Sequence, residues 1–127
     1  MRQSLPLWLK VGVFVVFGLT SPPPFDNQLY SVHIYAPGWD AARQLMDPAW
    51  QQAQAWSMPL LLGEFDAFGE ARNKPIADWQ DQTKQMLDFM RENWISWTFF
   101  GYFGGLSMVD ASGQPKTELI SVLQQGF

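Results

Sequence analysis

The run Met58–Phe65 (Met-Pro-Leu-Leu-Leu-Gly-Glu-Phe) is the most constraining stretch of this chain. Its apolar residues follow one another instead of alternating with polar ones. A strand with one wet face alternates, whereas a continuous run needs cover on both faces, as parallel strands between layers have. Two more short apolar runs, Leu29–Tyr35 (LYSVHIY) and Trp94–Phe100 (WISWTFF), read as strands as well. Helical patterns separate them. A loop at Ala36–Trp39 precedes Asp47-Pro48, which reads as a helix start because Asp caps free N–H groups and Pro fits the first helical position. Ala49, Ala53 and Trp56 then share one face of that helix. After a loop with Gly69, Asn73 and Pro75, Asp78–Glu92 reads as a second helix. Trp79, Met86 and Met90 form its apolar face, and Lys84 is placed to pair with Asp88. Asp110–Gly113 is a turn, and Pro115 opens a last helix with Leu119, Val122 and Leu123 inward. Strands alternating with helices of this length predict an α/β fold built on a parallel sheet.

The first twenty-four residues stand apart. Arg2 and Lys10 precede the apolar run Val11–Leu19, and Pro22–Pro24 ends the segment. Its β-branched and aromatic residues suit a buried parallel strand. Its basic flank also suits a signal-like segment, or a leader from a mis-set start, although no A-x-A-like cleavage site follows. The run is shorter than the ~20 apolar residues a membrane span needs, so a membrane partner is not expected. The chain therefore divides into residues 1–24, a strand or signal-like segment with a proline break, and residues 25–127.

Composition removes several chemistries. Eight basic residues against twelve acidic ones give a net charge of −4, the wrong sign for binding a phosphate backbone. The lack of cysteine excludes disulfides, thiolate catalysis and zinc–thiolate sites. One histidine excludes a multi-His metal centre within the chain, and no cofactor is expected.

Five positions are candidates for chemistry or binding. Glu64 follows Gly63 at the C-terminal end of an apolar strand, and the active face of parallel α/β folds lies at that end. A carboxylate there either has a task or has already left the core to start a loop. His33 and Tyr35 lie two apart in one strand and share a face. A lone histidine of this kind is more often a satisfied core residue. Trp97 and Phe100 offer apolar ring faces that can stack on the C–H-rich face of a sugar, although such rings usually serve packing. Asp66 and Glu70 read as solvated loop charges.

Taken together, three strand-end motifs resemble glycoside hydrolase family 5, the cellulase-type barrels. Leu29–Gly38 (LYSVHIYAPG) is similar to the family's sixth strand with its His-x-Tyr. Pro59–Gly69 (PLLLGEFDAFG) is similar to the seventh, whose Gly-Glu-Phe carries the nucleophile. Ile95–Gly105 (ISWTFFGYFGG) is similar to the eighth, followed by the family-like tail Asp110–Lys116. The resemblance covers roughly Phe25 to the C-terminus. It implies the last three to four βα units of a (β/α)₈ TIM barrel, an oligo- or polysaccharide substrate with β-linked sugars, and a secreted or extracytoplasmic location. It further implies a retaining mechanism with Glu64 as nucleophile, Tyr35 hydrogen-bonded to it, and His33 among the groups around the sugar. Trp97 and Phe100 would hold substrate, with Phe100 standing where the family usually has Trp. The acid/base Glu, which follows an Asn in the family, has no counterpart, since the chain contains no Asn-Glu. A whole barrel takes about 250 residues, so the N-terminal half of the barrel is an expected partner. A fragment inactive alone is the expectation. The alternatives are a non-catalytic carbohydrate-binding or vestigial module, and an unrelated α/β domain.

Overall fold

The computed structural model describes residues 21–22, 27–68, 76–99 and 107–127. Val11–Leu19, Pro23–Pro24, Glu70, Phe100 and the loop residues Gly69, Asn73 and Pro75 lie outside them, as does nearly all of segment 1–24. The order is β1 (Tyr30–Ile34), α1 (Trp39–Ala55), β2 (Leu60–Phe65), α2 (Trp79–Glu92), β3 (Ser96–Trp97) and α3 (Thr117–Gln124). The three strands form one parallel sheet in the order β1-β2-β3. This is the α/β arrangement expected of the sequence. Among the described residues, no helix is long and apolar enough to cross a membrane.

The sheet has two unlike faces. Tyr30, Val32 and Ile34 of β1 and Leu60 and Leu62 of β2 are buried. They pack on α1, whose inner stripe is Ala42, Met46, Ala49 and Ala53, each 0% exposed. Small residues on this stripe let the helix approach the strands closely. Met86, Leu87 and Met90 of α2 and Leu119, Val122 and Leu123 of α3 extend the same core. The alternate residues Ser31, His33, Leu61, Ser96 and Thr98 are half-buried or exposed. They form the open face.

Helix α1 departs from expectation. It begins at Trp39, eight residues before Asp47, and Pro48 lies inside it. Proline removes one N–H, here the partner of the Gln44 carbonyl one turn earlier. Gln44 is exposed, so that carbonyl is on the wet side of the helix. Meanwhile the apolar stripe continues unbroken from Ala42 to Ala53, which holds the helix across the proline. The helix has no capping side chain of its own. Instead the Trp39 N–H donates to the Gln82 side-chain oxygen of α2 at 2.8 Å. A Cβ on Gly38 would lie 2.8 Å from that oxygen, so glycine makes room for a cap supplied from another helix.

The third strand is shorter than its apolar run. Asn93 ends α2, and Trp94 adopts a left-handed backbone (φ 56°) with its side chain almost wholly exposed. Only Ser96 and Trp97 pair with β2. Lys84 does meet Asp88, at 2.8 Å, and Arg91 reaches the other carboxylate oxygen. The turn at Asp110 is closed by that side chain, whose Oδ1 accepts from the Ser112 N–H and hydroxyl and from the Gln114 N–H. Gly113 supplies the positive φ of 81°.

Candidate active site

Strict alternation along β2 would send Glu64 to the helix side, after Leu60 and Leu62. The ladder breaks that alternation. Val32 faces Leu62, but His33 faces Glu64, so Gly63 is an extra residue and forms a bulge. An extra residue reverses which face the following side chains take. Phe65 therefore turns into the core at 0% exposure, and Glu64 emerges on the open face beside β1.

Glycine suits the bulge for a steric reason. A Cβ at Gly63 would lie 2.8 Å from His33 Nε2 and 2.9 Å from Ser31 Oγ. The missing side chain leaves space for the imidazole. The bulge is also held from the far side. The Thr98 N–H donates to the Leu62 carbonyl at 3.0 Å, and the Thr98 hydroxyl donates to the Gly63 carbonyl. Nothing about Ser31 or Thr98 marks them in the sequence, since small hydroxyl residues occur throughout strands and loops.

The carboxylate of Glu64 meets two groups from β1 and the residue just after it. The Tyr35 hydroxyl donates to Oε2 at 2.7 Å, a short charge-assisted hydrogen bond. His33 Nδ1 lies 3.4 Å from the same oxygen. Both contacts fall on Oε2 and neither on Oε1. The Glu64 side chain is 28% exposed and that of His33 is 42% exposed, so the carboxylate is held but open to a ligand. His33 is thus on the open face, not in the core.

Trp97 has a different setting. Alternation puts Ser96 and Thr98 on the open face and Trp97 on the helix side. Its ring meets Phe65 at 5.6 Å in a T-shaped contact and Phe127 at 5.0 Å. These contacts pack one part of the half-buried ring; the expected part of Trp97 in holding substrate stays a proposal. Its companion, Phe100, is outside the described residues. Asp66 departs from the expectation. It is 1% exposed, not a solvated loop charge, because the chain continues inward through Ala67 and Phe68 after β2. Among the described residues, no three His, Asp or Glu side chains are grouped to hold a metal ion.

Among curated proteins, none matches the chain at a significant level. Among solved structures, an endoglucanase superposes with a TM-score of 0.67 at 16% identity, over 89% of this chain and 44% of that one. At that identity the likeness speaks for the fold, and the chain spans less than half of the endoglucanase's length. The family model described as "Cellulase (glycosyl hydrolase family 5)" matches residues 16–103, which include both strands around Glu64. A match over more than half of the chain, containing the Glu64–Tyr35 pair within it, identifies this protein as a partial member of glycosyl hydrolase family 5, the cellulase family.

Proposed function

We propose that this chain is the C-terminal part of a (β/α)₈ barrel which, when complete, hydrolyses β-linked glucans or related glycosides with retention of configuration. The observation that supports this reading is the Tyr35–Glu64 hydrogen bond on the open face at the strand tips. In a retaining hydrolase one carboxylate attacks the anomeric carbon. A second, about 5–5.5 Å away, protonates the leaving oxygen and then takes a proton from the incoming water. Glu64 is the nucleophile in this reading. Tyr35 and His33 engage Oε2, which directs Oε1 to the sugar.

The second carboxylate belongs to a partner: the N-terminal half of the barrel, docked on the open face around Ser31, His33 and Leu61. This 127-residue chain alone is inactive in this reading, because its sequence contains no Asn-Glu strand end to supply the acid that protonates the leaving group. The test mixes the chain with an N-terminal half that carries an Asn-Glu strand end, and assays aryl β-glycosides. Turnover is expected from the mixture, from neither half alone, and not from a mixture containing Glu64→Gln. Full turnover with Glu64→Gln, or efficient turnover by this chain alone, would refute the assignment. The missing acid equally favours a second reading, a vestigial module that binds sugar without cutting it. Mixtures that bind glycan but never hydrolyse it would select that reading.

A further inference from the structure

The outer surface, away from Glu64, carries a second aromatic site. A groove of about 590 Å³ lies between α1 and α2, lined by Trp39, Trp50 and Phe89 and edged by Gln51, Gln85 and Asn93. A second depression of about 410 Å³ shares Trp50, Glu92 and Asn93 with the first and is lined by Trp94 as well. Both volumes are in the range of ligand-binding clefts. On α1 the groove follows positions 39, 43, 47, 50 and 54, one face of the helix over about 22 Å of rise. Between them the two depressions carry a half-buried indole, Trp50, which lines both, and an exposed one, Trp94, which lines the second.

Its chemistry narrows the ligand. Trp94 is 92% exposed, a large apolar ring held in water. Trp50 is half-buried and lines both depressions, with its indole N–H turned away from them into the protein. The rim presents carboxamides from Gln51, Gln85 and Asn93, which both donate and accept. Flat indoles with amides at their edges match a sugar ring, whose C–H face is apolar and whose hydroxyls project outward. The charge excludes an anionic polymer. The cations at the groove are already paired with carboxylates, Arg43 with Asp47 and both Lys84 and Arg91 with Asp88, and Glu92 adds a further carboxylate; Arg43 also lies over the Trp39 and Phe89 rings, 6.0 and 5.1 Å from their centres.

We infer that this groove between α1 and α2 is a non-catalytic binding site for a neutral polysaccharide chain, which lies on Trp50 and Trp94. The site is built on the outer helices, whereas Glu64 is on the opposite face of the sheet. It therefore needs neither Glu64 nor a second half barrel. Its role is to keep the protein on a polymer.

The experiment is affinity electrophoresis of the 127-residue chain in gels containing hydroxyethyl cellulose, a neutral soluble β-glucan, or polygalacturonate as the anionic control. Retardation by the neutral glucan only is expected. Trp94→Ala and Gln51→Ala change exposed side chains, so their folding is checked by circular dichroism and is expected to be intact. Each is expected to weaken retardation at least fivefold, while Glu64→Gln leaves it unchanged. No retardation, equal retardation by polygalacturonate, or retardation unaffected by both groove variants would overturn the proposal. Loss of retardation in Glu64→Gln with both groove variants normal would move binding to the strand tips, refuting this site while sparing the hydrolase reading.

Discussion

Replacing Gly63 by Ala tests the account of how Glu64 is presented. The new Cβ would lie 2.8 Å from His33 Nε2, 3.1 Å from His33 Cδ2 and 2.9 Å from Ser31 Oγ. Ordinary contacts start near 3.4 Å, so the imidazole must retreat by at least 0.6 Å. It has somewhere to go, because its side chain is 42% exposed. Overpacking costs typically ~1–3 kcal/mol, and an escape into solvent puts this case near 1. Gly63 is not among the positive-φ glycines, so alanine also stiffens the unfolded chain and returns about 0.4–1 kcal/mol. The net loss of stability is therefore about 0–0.6 kcal/mol, while the His33 contact with Glu64 breaks. The Tyr35 bond is left in place, since none of the new contacts involves Tyr35. Urea unfolding of the single variants and the Gly63→Ala/His33→Ala double variant separates these effects. In the His33→Ala background, Gly63→Ala should be neutral or stabilising, because the remaining Ser31 hydroxyl can turn to another rotamer. An additive cycle, or unchanged nuclear Overhauser contacts of the His33 ring in Gly63→Ala, would show that the glycine does not make room for the imidazole.

Other substitutions probe the frame of the site. Pro48→Ala restores an N–H to the Gln44 carbonyl; it should raise stability by about 2 kcal/mol, the ~3 kcal/mol helix penalty less the entropy proline removes from the unfolded chain, as read from thermal unfolding. Leu87→Ala empties a fully buried position between α2 and the C-terminal segment and should cost about 2–5 kcal/mol in urea unfolding, with the same denaturant slope. The Lys84 hydrogen bond, with Arg91 adding to it, holds Asp88 below the usual carboxylate range. Its contribution is thus complete above the unfolded value near 3.9 and disappears as pH falls through the lower folded value. Exposed pairs of this spacing are worth ~0.3–0.5 kcal/mol, so Asp88→Asn should remove only a small part of the stability lost below pH ~4, measured by unfolding across pH. Asp110 follows the same sign, held down first by the Ser112 hydroxyl and then by the Gln114 N–H. Acid should therefore loosen its turn, and lower protection of the Ser112 and Gln114 amides, their exchange taken relative to the intrinsic rate at each pH, is the readout below pH ~4.

Much of the layout is legible in local patterns. The uninterrupted apolar residues of β2, the spacing of Met86 and Met90, and the Asp110–Gly113 turn each depend on near neighbours, so each can be read from a short window. The ordered strand-end motifs also point to the family, and they include the three residues that meet at Glu64. What a window cannot contain is the relation between strands. Leu60, Leu62 and Glu64 have the same parity, and only pairing with β1 reveals that Gly63 is an extra residue. The direction of Trp97 likewise follows from its register with Leu62.

The start of α1 illustrates the same division. Asp47-Pro48 has every local mark of a helix beginning, yet the helix begins at Trp39 because Gln82, 43 residues away, caps it. From its own residues this chain determines the kinds of element, their order, and which carboxylate stands at a strand tip. Tertiary structure decides which way that carboxylate points, which aromatic rings are spent on packing, and where a helix can start. The reason is physical: propensity and periodicity act over a few residues, whereas side-chain direction and capping are set by partners brought together only on folding.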